Sequence, residues 1–302
     1  MKKTQSHIKP LRQRMWESRY SYLLIFPFMA FFAVFVIAPI VSSIALSFTD
    51  YNMLQAPNFV GLENYARLFL SDDVFMIAVK NTFILALITG PLSYVLCFVF
   101  AWFINELPRH LSAILTVVLY APSISGSAYT VWQWILNGDR YGLVNGFLIK
   151  MGLISDPVQW LTDTNYMLIA TIVVQLWLSL GTSFLAHIAG LKGVDTTLYE
   201  AGAIDGIRNR FQEVWHLTLP SMKPQLLFAA VMQISGAFGV GAVQIALTGN
   251  PSTDYATHTI IAHIADYGTI RYELGYASAM ASILLVLMLL TNKLVHKVLR
   301  ND

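Results

Sequence analysis

Six stretches of this chain are long and apolar enough to cross a lipid bilayer, and that constrains everything else about its fold. A spanning helix needs about 20 predominantly apolar residues, since the hydrocarbon offers no water to satisfy exposed backbone groups. The stretches are 22–48, 81–104, 111–136, 166–191, 225–248 and 276–298. Composition agrees, with 56% of the 302 residues hydrophobic and 12% charged, about half the charged share of a soluble domain. The surplus apolar surface faces lipid. The expected fold class is all-α, a polytopic membrane protein of about six transmembrane helices forming one domain over 1–302. No low-complexity tract, long linker or convincing internal repeat divides it.

The basic run 1–20 precedes the first stretch, as in a signal peptide. That stretch exceeds the roughly 7–15 residues of a signal h-region and no A-x-A-like site follows it, so it reads as a retained span. Pro27 and Pro39 inside it are tolerable where neighbouring helices satisfy freed backbone groups.

Six spans put both termini on one side, and the positive-inside rule says which. With the N-terminus cytoplasmic, the inside segments hold Lys2, Lys3, Lys9, Arg12, Arg14, Arg19, Arg109, Lys192, Arg208, Arg210, Lys223, Lys293, Lys297 and Arg300. The outside loops hold only Arg67, Lys80, Arg140, Lys150 and Arg271 out of 19 lysines and arginines. An odd number of missed or invented spans would scramble this split. Trp16, Tyr20, Tyr51, Trp160 and Tyr272 sit near span ends, as interfacial aromatics do.

No Asp, Glu, Lys or Arg occupies the middle of a span. Ion-coupled transporters keep an ionisable relay there, so energy is expected from elsewhere. The lone cysteine, Cys97, excludes a disulfide framework or cysteine metal site and reads as a small buried hydrophobe. His258 and His263, with Asp254 and Asp266 nearby, have poor spacing for a metal site and read as a solvated loop. Arg271 and Glu273 lie just outside the sixth span, where they can contact an external partner. No G-x-x-x-x-G-K-[ST] phosphate loop, HExxH or Ser/His/Asp arrangement occurs.

The segment between the fourth and fifth spans, 192–224, is the informative one. Leu198, Ala201 and Ile204 form a short apolar helical stripe. Asp195, Thr196 and Thr197 offer N-cap oxygens before it, and Asp205-Gly206 is a turn signal after it. A second short helix is expected from about Arg210 to Leu217, with Pro220 and Pro224 punctuating re-entry into the membrane. The expected product is a helix–turn–helix across the cytoplasmic face.

This segment resembles the EAA loop of binding-protein-dependent ATP-binding-cassette (ABC) importer permeases, a pattern of roughly E-A-A-x-x-x-G followed by a stretch ending in I-x-L-P. The matches are Glu200, Ala201, Gly206, Leu217, Leu219 and Pro220. Asp205, the Thr218-Leu219-Pro220 ending and Lys223-Pro224 are similar to the carbohydrate-uptake branch, as is the six-span plan. Two departures stand out: Gly202 replaces the second alanine, and the stretch from Gly206 to Pro220 is one residue longer than usual.

The resemblance implies that the loop docks on a separate ATPase. Glu200 would pair with a basic group there, Ala201 and Ile204 would fill a groove, and Gly206, with Asp205 before it, would permit the turn ahead of Leu219 and Pro220. It implies partners: two ATPase subunits, a second homologous permease and an extracytoplasmic solute-binding protein, with no nucleic acid. It implies no cofactor on this chain, no catalytic residue and no metal, with ATP and Mg held by the ATPases, in the cytoplasmic membrane of a prokaryote. It also implies a path between two permeases, lined by the spans flanking the loop. In the fourth span Gln175, Ser179 and Thr182 recur at i, i+4 and i+7, one helical face, with Trp177 nearby. The fifth carries Gln233, Ser235 and Gln244 among Gly236, Gly239 and Gly241. Ser123, Ser125, Trp132 and Gln133 are secondary candidates. Uncharged hydrogen-bonding groups beside aromatic surface suit a carbohydrate, yet such residues are also ordinary interhelical glue. Two alternatives stay open: an importer of a non-sugar solute, and an ATPase-independent transporter or channel.

Overall fold

The computed structural model describes residues 18–300. The basic cluster Lys2, Lys3, Lys9, Arg12 and Arg14, and Trp16, lie outside the described residues. Within them the chain is helical, with no strand and one isolated bridge between Thr49 and Phe59. Arg19–Leu46, Asp73–Asn105, Lys223–Thr248 and Leu274–Lys297 are each long and apolar enough to span a bilayer. Two bent pairs, Arg109–Ile124 with Tyr129–Ile135 and Met167–Leu178 with Thr182–Lys192, bring the number to as many as six.

The bent pairs correct the simple reading of 111–136 as one span. Its two helices meet at 89°. Pro122 removes a backbone donor near the end of the first helix, and Ser125 and Gly126 follow it in non-helical backbone. The fourth span bends by 42° at 179–181, where Gly181 takes a backbone conformation that is neither helical nor extended (φ −109°, ψ −134°). A side chain at Gly181 would stand 3.3 Å from Ser123 Cβ, so the third and fourth spans approach closely where both are interrupted.

Small residues bring the central helices together, as in membrane packing generally. Gly90 on Asp73–Asn105 lies against Ala237 on Lys223–Phe238, and Gly190 on Thr182–Lys192 lies against Met222 and Gln225. One apolar cluster, including Cys97, Ala101, Ile104, Phe184, Leu191 and Met222, closes the end of the bundle that carries 193–222. Another, including Leu68, Phe75, Ile260, Tyr276 and Met280, closes the opposite end. The helix Asp73–Asn105 enters both clusters. Its 33 residues reach about 50 Å.

Candidate coupling segment and translocation face

The segment 195–222 is a helix–turn–helix whose chemistry is local. Asp195 caps the helix Thr196–Ile204, its carboxylate accepting from Thr197 N at 2.9 Å. That helix ends because Gly206 takes φ +95°, a backbone glycine adopts without strain. The Cβ position of Gly206 is otherwise open, so conformation alone demands the glycine. Asn209 caps the second helix by accepting from Gln212 N at 2.8 Å, while Gln212 Oε1 accepts from Arg208 N at 3.0 Å. The first bond satisfies one donor that a helix start leaves open, and the second ties the helix to the residue before its cap.

The second helix runs through 210–221 rather than stopping at Leu217, and its centre, Val214–Thr218, is a π-turn. Such a turn accommodates one extra residue in a helix, which is the length by which this stretch exceeds the family spacing. Pro220 makes the site suitable, because its ring and missing N–H already disturb the preceding turn. The π-turn Ala33–Ile37 precedes Pro39 at the same offset. Gly202 also acquires a reason: a Cβ there would lie 2.7 Å from Leu217 Cδ1 and 3.1 Å from Ile207 Cδ1. Tyr199 OH and Thr218 Oγ1, 3.0 Å apart, tie the two helices together.

The two sides of the first helix differ. Gly202 is buried and Tyr199 half-buried, whereas Glu200, Ala201, Ile204, Asp205 and Gly206 are exposed. Ile204 is 87% exposed, and Phe211 and Trp215 are 77% and 71% exposed on the second helix. Leu219 is half-buried and Pro220 exposed. Ile204, Phe211 and Trp215 thus expose apolar surface near Glu200 and Asp205, the kind of surface that a protein partner or a membrane covers.

The candidate path residues separate into two groups. The bend at 179–181 breaks the face expected for Gln175, Ser179 and Thr182. Gln175 and Ser179 are half-buried and Thr182 exposed, but they sit on different helices. Ser179 Oγ donates to Leu176 O at 2.6 Å. Trp177 packs edge-on against Trp132, ring centres 5.8 Å apart. In the fifth span, Gln233 is buried and lines an apolar cavity of about 280 Å³ beside Phe83, Pro91 and Tyr94. Ser235 Oγ donates to Val231 O at 3.0 Å. Gln244 is fully buried, donating to Thr257 Oγ1 at 3.3 Å and accepting from Thr259 Oγ1 at 3.3 Å. It braces the following loop. Of the secondary candidates, Ser123 Oγ donates to Tyr120 O and Gln133 Nε2 to Ala246 O, while Ser125 is exposed.

The largest surprise lies at the end opposite the coupling segment. His258 and His263, expected in a solvated loop, are 1% and 2% exposed. Asp72 caps Asp73–Asn105 by accepting from Phe75 N at 2.9 Å. Its other oxygen takes His263 Nε2 at 3.0 Å and Tyr276 OH at 2.7 Å. Because His263 Nε2–H donates to the carboxylate, neutral His263 leaves Nδ1 to accept from His258 Nε2, 3.1 Å away. His258 Nδ1 is then a buried lone pair without a partner among the described residues. Burial raises the Asp72 pKa, but the donors His263, Tyr276 and Phe75 outweigh it and hold the carboxyl well below the usual carboxylate range. Burial first, then the neighbouring His263, push His258 down to about 4. Arg67 lies over the Tyr276 ring at 4.1 Å and pairs with Glu273. Arg271 lies over Tyr267 at 4.2 Å and pairs with Asp266 at 2.8 Å. Arg271 and Glu273 are thus engaged within the chain. No sequence signal could have found this network, since Asp72 and His263 are 191 positions apart.

A helical bundle with broken spans and a protruding helix–turn–helix defines a polytopic transport subunit. The chain belongs to the sugar ABC transporter permeases. It is 30% identical to the probable ABC transporter permease protein YesP of Bacillus subtilis, over 91% of this chain and 89% of that protein. It is also 30% identical to the trehalose/maltose transport system permease protein MalF of Thermococcus litoralis, over 90% of this chain and 91% of that one. A third relative, at 28% over 90% and 85%, is the arabinooligosaccharides transport system permease protein AraP of Bacillus subtilis. Among solved structures, a chain of a bacterial ABC transporter importing the acidic polysaccharide alginate matches with TM-score 0.76 and 21% identity, over 97% of this chain and 99% of that one. That similarity is one of fold. No protein-family model matches the chain.

Proposed function

We propose that this permease forms, with a second homologous permease, the membrane path for an oligosaccharide delivered by an external solute-binding protein, with one of the importer's two ATPase subunits seated on 195–221. The segment then lies in the cytoplasm, as do both termini, and the Asp72 network lies at the outer end. ATP and Mg act on the ATPases. This chain contributes a socket and a path and no catalytic group.

One observation carries the coupling role: Glu200, Ala201, Ile204 and Asp205 stand exposed on a capped helix that turns at Gly206 and continues, through 210–221, into the spanning helix Lys223–Phe238. A push on that face crosses the turn 205–209, or the Tyr199–Thr218 contact, and then runs through 210–221 and the turn residue Met222 into a membrane span. The relatives' cargoes support an oligosaccharide: arabinooligosaccharides, trehalose/maltose and, in another relative, diacetylchitobiose. For the path we favour Gln175, Ser179, Thr182 and the exposed break around Ser125 over Gln233 and Gln244, which are buried within the bundle.

The test is Gly206→Pro in the assembled importer. Proline needs φ near −65° where the chain takes +95°. With assembly intact, uptake and substrate-stimulated ATP hydrolysis are both expected to fall at least tenfold, as a displacement of about 1.4 kcal/mol suffices to produce. Full retention of both contradicts the role.

A further inference from the structure

The long helix Asp73–Asn105 is not part of the proposed socket, yet its end is fastened to it. Arg210, in the first turn of the second coupling helix, places its guanidinium 3.2 Å from Glu106, just past the end of the long helix, and 2.7 Å from Glu213 on its own helix. The next residue, Phe211, meets Trp102 edge-on with ring centres 5.9 Å apart. Behind these contacts, Ala101 and Ile104 of the long helix share an apolar cluster with Leu191 and Met222, which flank the coupling segment. An ion pair, an aromatic pair and an apolar floor therefore converge on one helix end. At the other end, Asp72 caps the same helix and binds His263 and Tyr276.

We infer that Arg210–Glu106 and Phe211–Trp102 form a second coupling route, which carries movement of the cytoplasmic segment into Asp73–Asn105 and so to the outer Asp72 network. It runs in parallel with the direct route through Met222 into Lys223–Phe238, and it rests on the proposed docking of an ATPase on 195–221. Arg210 and Phe211 are positioning residues that touch neither nucleotide nor sugar. Held at both ends, the helix passes displacement of its inner end across Gly90-Pro91 at its middle to its cap. The ion pair is solvent-exposed, 63% at Arg210 and 43% at Glu106, so it contributes modestly and the aromatic and apolar contacts share the load.

The experiment uses the full complex of both permeases and ATPases. The buried native Cys97 leaves introduced cysteines as the labelling sites. Spin labels at Met76→Cys, at the outer end of the long helix, and at Phe228→Cys, on the direct route, are each paired with a reference label at Tyr141→Cys; the native side chains are 50%, 51% and 95% exposed. Distances are measured without nucleotide and after trapping with ATP and orthovanadate. Both are expected to change on trapping. Arg210→Glu or Glu106→Arg should reduce the change at Met76 about two- to fivefold, the range an exposed ion pair supports, while Phe228 keeps its change. The double variant Arg210→Glu/Glu106→Arg, made together with Glu213→Gln so that the introduced carboxylate does not face Glu213, should restore Met76, which a loss of folding cannot do. An unaltered Met76 change in the single variants, or no recovery in the double variant, overturns the second route while leaving the docking intact. No change at either position in the unmodified complex overturns the docking itself.

Discussion

Asp72 gives the sharpest stability prediction. Its carboxylate does three things: it caps a 33-residue helix, accepts from His263, and accepts from Tyr276. Asp72→Ala removes all three. A lost cap costs about 1 kcal/mol, and each buried donor left without an acceptor costs about 1–3 kcal/mol, so the sum is roughly 3–5 kcal/mol after partial relaxation. Asp72→Asn is milder for a specific reason. Its amide can donate to His263 if both histidines shift tautomer, but that puts a proton on His258 Nδ1, which has no acceptor. One buried unsatisfied donor remains, at about 1–3 kcal/mol. The assay is thermal unfolding of the purified complex followed by intrinsic fluorescence. At about 2–4 °C per kcal/mol, Asp72→Ala should lower the midpoint by roughly 6–20 °C and Asp72→Asn by about half as much. Equal effects, or a loss under about 2 °C for Asp72→Ala, would refute the reasoning.

Two further outcomes follow from the same end of the molecule. A Cβ at Gly275 would stand 2.0 Å from Thr49 O, where Gly275 N donates to Tyr51 O at 2.9 Å; backbone cannot yield cheaply there, so Gly275→Ala should lower stability by about 2–4 kcal/mol, measured as the shift in thermal midpoint, and an unchanged midpoint contradicts the packing. His258 has a folded-state pKa of about 4, below its ordinary value near 6.5, so the unfolded chain takes up the proton first as pH falls. Stability from the neutral ring is whole above pH 6.5 and is lost between 6.5 and 4, amounting to about 2 kcal/mol at pH 5. Midpoints at pH 7.5 and 5 should show that loss and His258→Asn should flatten it; an equal slope in the variant contradicts the assignment.

What could be read in the sequence was what depends on local spacing. Span lengths, the Asp195 cap and the Gly206 turn follow from residues within a few positions of each other. The one-residue excess before Pro220 was countable, but the π-turn at Val214–Thr218 was not, because counting does not say where a helix widens. Hydropathy likewise sees 111–136 as one apolar run, since composition carries no direction and the 89° bend adds no charge. Gln233 and Gln244 share a polar character with Gln175, and only packing separates the two buried side chains from the half-buried one. The Asp72 network escaped because Asp72 lies 191 positions from His263, and His258 and His263 alone resemble loop residues.

The most direct test of a permease driven by separate ATPases is a cross-link from the exposed coupling helix. With Cys97 buried, Ile204→Cys offers an accessible thiol at a position 87% exposed in this chain. In membranes containing the whole importer, a short bifunctional reagent should join Ile204→Cys covalently to the ATPase subunit, with a yield that changes when ATP and orthovanadate trap the complex. Labelling of Ile204→Cys by a small maleimide with no ATPase adduct in any nucleotide state would contradict that arrangement.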